Sequence, residues 1–294
     1  MHYNASSFRR PLITTNKSYG TVPLTDDQLR KLAPSVFAET AHESRSARYA
    51  YIPTSEVVRG LRDAGFVPMT ATQGKSRVEG KAEFTKHLIR FRHADHMTGK
   101  HLKLGGVIPE VALINSHDGT SAYKVVAGMM RLVCLNGMLV ADEEFGSIRV
   151  GHTGNIRDQV IDATFTVLDQ AKLAIETAGN WSGVTMSRPE QMLLAEQAHI
   201  MRFADAEGVV KTPIMPVALL APRRHEDAGA DLWSVTSRIQ ENVMRGGLEG
   251  VTKGTKEKPS RRVSTRPIKG IDADVKLNRA LWALSERMAE LKAG

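Results

Sequence analysis

One cysteine, Cys134, stands in the 294 residues, so no disulfide framework can form within the chain, and a reducing compartment suits it. It lies in the apolar run Met129 to Leu135, a setting that favours a buried structural thiol over a nucleophile. Aromatic residues are scarce, 5% of the chain, so any surface for stacking bases must be small. No uncharged apolar stretch reaches the length of about 18 residues that a membrane span needs. The start, Met1-His2-Tyr3-Asn4-Ala5, lacks the charged-then-apolar layout of a secretory signal. Catalytic signatures are missing too: there is no GxSxG or GxGxxG. Gly74-Lys75-Ser76 matches the tail of a phosphate loop, GxxxxGK[ST], but Met69 occupies the place of its first glycine. These absences predict a soluble, cytoplasmic, non-enzymatic protein with no membrane partner and no cofactor.

What the chain does have is an excess of positive charge, gathered in two places. The net charge is +8. Residues 245–269 hold eight Lys and Arg against Glu249 and Glu257, a net +6. Residues 75–103 hold another eight against Glu79, Glu83 and Asp95, a net +5, so the rest of the chain is slightly acidic. Two cationic segments are the electrostatic footprint of a polyanion binder. A solvated loop beside an ordinary exposed strand would give the same count.

Residues 1–45 read as an irregular arm followed by a short helix, capped by Thr25 and stopped at Pro34. An α+β core over 46–152 follows. In it, Tyr49 to Ile52 reads as a strand and Thr54 or Ser55 caps a helix through Val57, Val58 and Leu61. Strands are expected near Phe66–Pro68, over Glu83–His93, over Val107–Asn115, at Met138–Val140 and at Ser147–Val150. Residues 121–134 carry Tyr123, Val126, Met129, Met130 and Val133 at helical spacing and read as a helix, with Asn136-Gly137 as the turn after it. From 153 to 244 the pattern is helical, including a capping box at Ser187-Arg188-Pro189-Glu190 and a helix over Asp231–Met244. A basic flexible loop is expected at 245–270, then a last helix over 271–294, capped by Asp272. Antiparallel sheet with helices first and a mostly helical second half make the fold class α+β.

The strand over 83–93 carries the first candidate site. Alternation puts Ile89 and Phe91 on one face and Lys86, Arg90 and Arg92 on the other, which predicts a cationic sheet face turned to water. Cations at alternate strand positions, with Lys100 and Lys103 beyond, would follow the phosphates of an extended strand. Tyr49 and Tyr51, two apart, either stack bases or pack the sheet. In the loop, Lys253, Lys256, Arg261, Arg262 and Arg266 among Gly, Ser and Thr can drape on a phosphate backbone without reading sequence. A plain solubilising linker is the other reading. His87, His93, His96 and His101, with Asp95, form a loose group that would serve a metal-dependent nuclease. Their spacing matches no helical ligand pair and no CxxC accompanies them, so exposed histidines are preferred and no metal site is assigned.

Two resemblances add to this. Ile108 to Tyr123 (IPEVALINSHDGTSAY), Arg131 to Gly137 (RLVCLNG), Ile239 to Gly247 (IQENVMRGG) and Leu277 to Trp282 (LNRALW) resemble a phage- and plasmid-borne family labelled a domain of unknown function, across roughly 45–290. Tyr49 to Val58, with Leu61 and Gly65-Phe66, is similar to the strand-into-helix opening of phage single-strand annealing proteins. That second resemblance implies a curved antiparallel sheet packed with a helix, and assembly as rings or filaments on DNA. The resulting expectation is a homo-oligomer that binds, and anneals, single-stranded DNA during recombination or replication of mobile elements. The alternatives are the histidine-dependent nuclease and an interaction protein that blocks a host-defence factor.

Overall fold

The structure is a computed structural model and describes residues 22–43, 51–76, 78–97, 106–132, 136–140, 146–151, 155–254 and 259–294. A short helix α1 (Asp26–Leu32) opens it, with the reciprocal capping box of Thr25 and Gln28 at its start. Helix α2 (Thr54–Asp63) follows, and Gly65, at φ +88°, turns the chain into β1 (Phe66–Gln73). Four strands then run antiparallel in sequence order: β1, β2 (His87–His93), β3 (Val107–Asn115) and β4 (Tyr123–Arg131). The far side of β4 is shared by β5 (Asn136–Leu139) at one end and β6 (Ser147–Val150) at the other.

The stretch predicted as a helix, 121–134, is therefore the central strand β4 over its described part. Burial on both faces explains the misreading: from Val125 to Met130 every residue is buried, so the two-residue alternation disappears. Asn136-Gly137 is likewise paired strand rather than turn, opposite Arg131 and Met130. Tyr51 and Ile52 are irregular, and Tyr49, Lys100, Lys103, His101, Cys134 and Lys256 lie outside the described residues.

The sheet is covered on both faces. One carries Ile89, Phe91, Val111, Leu113, Tyr123, Val125 and Met129 into the main core, with α2 and the 26-residue α3 (Ile156–Trp181) packed over it. Phe66 meets Phe165 edge-on at 5.1 Å, and Ile161 presses within 3.0 Å of where a side chain at Gly60 would begin. The other face presents Leu88, Ala112, Ile114, Val126 and Leu139 to Ile271 and Val275. Those two residues open the last helix, α6 (Ile271–Ala293).

The helical half follows the sequence pattern closely. Ser187 and Glu190 form the expected box at the head of α4 (Arg188–Phe203), and Asp231 caps α5 (Leu232–Arg245). Trp181 and Trp282 stack at 4.5 Å and join the far end of α3 to α6. Two capping expectations are corrected. Pro53, not Thr54 or Ser55, precedes α2, and Gly270, not Asp272, precedes α6. In both cases the side chain has another task, described below. Among the described residues no helix is long and apolar enough to cross a membrane.

Candidate nucleic-acid interface

The cationic side of β2 does not face water. Arg90 and Arg92 are buried, at 5% and 1% exposure, because α5 and α6 close over that sheet face. Arg92 donates from Nε to Glu110 Oε1 at 2.8 Å and also contacts the Met130 sulfur. Arg90 lies 3.5 Å from the other Glu110 oxygen and 3.9 Å from Asp274 of α6. Two cations and two carboxylates thus neutralise each other inside the protein, the arrangement that burial of charge requires. Gly137 makes room for it: a Cβ there would stand 2.6 Å from Arg90 Nη1. Lys86, at the strand's edge, pairs with Asp272 at 2.7 Å, which is the task of that carboxylate. The expected water-facing row of Lys86, Arg90 and Arg92 is therefore corrected. Alternation identifies side chains that share a face, but not what covers the face.

Tyr51 is also committed. Its hydroxyl donates to the Ala38 carbonyl, and its ring leans on His117 at 5.1 Å, so it packs rather than offering a stacking platform.

The histidines separate. His87 is fully buried, with Nδ1 2.8 Å from the Ser35 hydroxyl and Nε2 3.0 Å from the Thr54 hydroxyl. Thr54, at the first position of α2, turns its hydroxyl inward to meet His117 Nε2 at 3.1 Å, Asn115 Nδ2 at 3.1 Å and Tyr123 OH at 3.3 Å as well. Desolvation, with His117 beside it, lowers the His87 pKa to about 3, so the ring is neutral. His93 and His96 lie together instead, 6.3 Å apart, with His93 against Phe66. Among the described residues no three His, Cys, Asp or Glu side chains are gathered to hold a metal ion.

The segment 245–269 contains a hairpin, and here the cations are exposed. Strands β7 (Glu249–Val251) and β8 (Arg262–Ser264) pair antiparallel, and Thr252 continues the ladder through its backbone to the Arg261 carbonyl at 3.0 Å. Lys253, Arg261, Arg262, Arg266 and Lys269 are all exposed, and none has an ion-pair partner among the described residues. The base of the hairpin is pinned. Gly246, at φ +65°, brings its α-carbon so close to Arg266 that a Cβ would sit 2.7 Å from that backbone. Gly250 approaches the Pro213 carbonyl in the same way. Arg202, whose guanidinium burial pulls below its ordinary value, donates to the Arg266 carbonyl at 3.0 Å.

Two further cationic groups escaped the sequence reading. A chain of ion pairs leads from the sheet to the hairpin base. In it Arg131 meets Asp227 at 2.8 Å, Arg224 bridges Asp227 and Glu241, and Arg245 meets Glu241 at 3.0 Å. On the sheet itself, Lys124 and Arg149 stand directly opposite across β4 and β6, both exposed. Like charges in that position destabilise a strand pair. The helical reading of 121–134 hid the second group. Nothing local in the sequence announces the first.

The sequence profile of the family described as "Domain of unknown function (DUF932)" matches residues 41–282. The chain belongs to that family. Among its relatives are two proteins of Escherichia coli (strain K12), UPF0380 protein YafZ and UPF0380 protein YfjQ. Each is 42% identical over 266 residues, which cover 90% of this chain and 92% of the relative. No solved structure matches. In this DUF932 member the four stretches that carry the family resemblance meet on one seam. Glu110 holds Arg90 and Arg92, Gln240 bonds Asn278 at 2.7 Å, and Gln240 reaches the Gly137 carbonyl at 3.5 Å. That seam is buried and joins sheet to helices; the hairpin projects from its end, after Arg245.

Proposed function

We propose that this DUF932 protein binds single-stranded DNA without regard to sequence through the hairpin β7–β8, and does so as a homo-oligomer that brings strands together for annealing. One observation carries the reading. Lys253, Arg261, Arg262 and Arg266 stand exposed on one hairpin with no carboxylate partner among the described residues, whereas the buried cations of the sheet are matched to acids. Charges gathered this way repel one another, and a phosphate backbone relieves that repulsion while releasing counterions. Gly247 and Gly254 beside the hairpin strands, with Ser260 and Ser264 hydroxyls, suit backbone contact rather than base reading.

Oligomerisation follows from size. Three-residue strands are only about 10 Å long, so one hairpin meets few nucleotides, and annealing needs many held in register. Repetition of one hairpin around a ring or along a filament supplies the length with no new chemistry. Fluorescence anisotropy with a labelled 40-nucleotide strand, beside mass measurement of the free and bound protein, tests both parts. Wild type is expected to bind and to be multimeric, and Lys253, Arg261, Arg262 and Arg266 all replaced by Ala is expected to remain folded and lose affinity. Undiminished binding by that variant, or a monomer with and without DNA at micromolar concentration, would overturn the reading.

A further inference from the structure

Away from the hairpin, α1, the turn at 34–39 and the start of α2 enclose a cleft of about 330 Å³. Three guanidiniums reach it from two helices. Arg62 is committed, holding Asp26 at 2.5 Å and the Leu24 carbonyl at 3.0 Å. Arg30 and Arg59 are not: both are exposed, and neither has a carboxylate partner among the described residues. Arg30 is nevertheless held in place, its guanidinium carbon 4.0 Å from the centroid of the Phe37 ring. Arg59 stands one turn along α2 from Ser55, which also lines the cleft.

We infer that this cleft takes a nucleoside monophosphate, either free or as the phosphorylated end of a strand. The phosphate meets Arg30 and Arg59, which have no carboxylate partner among the described residues, unlike Arg62 in the same cleft. The flat base lies along the Arg30–Phe37 stack, since guanidinium planes and aromatic rings both stack on bases. The volume lies at the lower end of the range for small organic ligands. Glu39, the remaining carboxylate of the lining, discriminates in the same direction. It accepts from a sugar hydroxyl or a base amino group, which a bare phosphate lacks. The cleft shares no residue with the hairpin, so this inference stands or falls independently of the strand-binding reading.

Isothermal titration of the full chain with dAMP, adenosine and inorganic phosphate provides the test. One dAMP per chain is expected, with adenosine and phosphate each at least about tenfold weaker, the loss that follows from removing a charged hydrogen-bonding group. Arg59→Ala and Arg30→Ala should each weaken dAMP by about tenfold or more, and Arg59→Lys by less. Because both side chains are exposed, the thermal midpoint should not move. The variant lacking the four hairpin cations should bind dAMP as wild type does. Tighter binding of a 5′-phosphorylated oligonucleotide than of its 5′-hydroxyl twin assigns the site to strand ends, and equal binding assigns it to the free nucleotide. No dAMP binding at millimolar concentration, equal binding of adenosine and dAMP, indifference to both arginine variants, or loss in the hairpin variant would each overturn the inference.

Discussion

Replacing Glu110 tests whether the second sheet face is as closed as the structure makes it. Glu110 has no exposed surface and is shared by Arg92, at 2.8 Å, and Arg90, at 3.5 Å, while Asp274 stands 3.9 Å from Arg90. Glu110→Ala removes one of two carboxylates facing two guanidiniums and leaves a net positive charge in the core. Breaking a buried pair from one side costs about 3–5 kcal/mol, because the remaining charge is desolvated without compensation. In a chain of this size that lowers the thermal midpoint by roughly 10 °C. Replacing both partners, with Glu110→Leu and Arg92→Met, should cost less than Glu110→Ala alone, since paired removal deletes the desolvation penalty as well. Urea unfolding of Glu110→Leu, Arg92→Met and the double variant gives the coupling directly. A loss under about 1 kcal/mol for Glu110→Ala would refute the reasoning and would restore Arg90 and Arg92 as water-facing cations.

Three other outcomes follow from particular contacts. The His87 pKa lies at about 3 in the folded protein, below the ordinary value of 6.5, so the unfolded chain takes up a proton first as pH falls. Stability from this group is intact above pH 6.5 and is lost as pH drops toward 3, reaching about 2 kcal/mol at pH 5. A comparison of urea midpoints at pH 7 and pH 5 should show the loss in wild type and a smaller one in His87→Gln. Gly137→Ala should cost about 1–3 kcal/mol through collision with the Arg90 guanidinium, and combining it with Arg90→Ala should be non-additive in a double-mutant cycle. Trypsin should cut the free protein near Lys253 or Arg261 and cut it much less with single-stranded DNA bound; cleavage unchanged by DNA would count against the hairpin as the contact.

Legibility in the sequence divides along the range of the forces involved. Features set by neighbours within a turn were readable: the Thr25 cap, the box of Ser187 with Glu190, and β3 to the residue. The domain-of-unknown-function membership was readable from four short motifs. Features set by distant cover were not. The cations of β2 are buried by helices that follow them by more than a hundred residues, as the Lys86–Asp272 pair illustrates. Strand β4 reads as a helix because both faces are apolar, and Thr54 reads as a cap because its buried histidine partners lie 33 and 63 residues away. The hairpin lay partly in view: its charge is local, its pairing is not. The Arg30–Phe37–Arg59 cleft is drawn from three polar segments that carry no common pattern.

The central claim, that the exposed hairpin cations meet a phosphate backbone, is tested most directly by the salt dependence of affinity for single-stranded DNA. The account predicts that log K falls linearly with log salt, at about 0.7 per phosphate neutralised. Replacing Lys253, Arg261, Arg262 and Arg266 together should flatten the slope by about 3. An affinity that does not change with salt, or a slope that the fourfold variant leaves as steep as wild type, would contradict it.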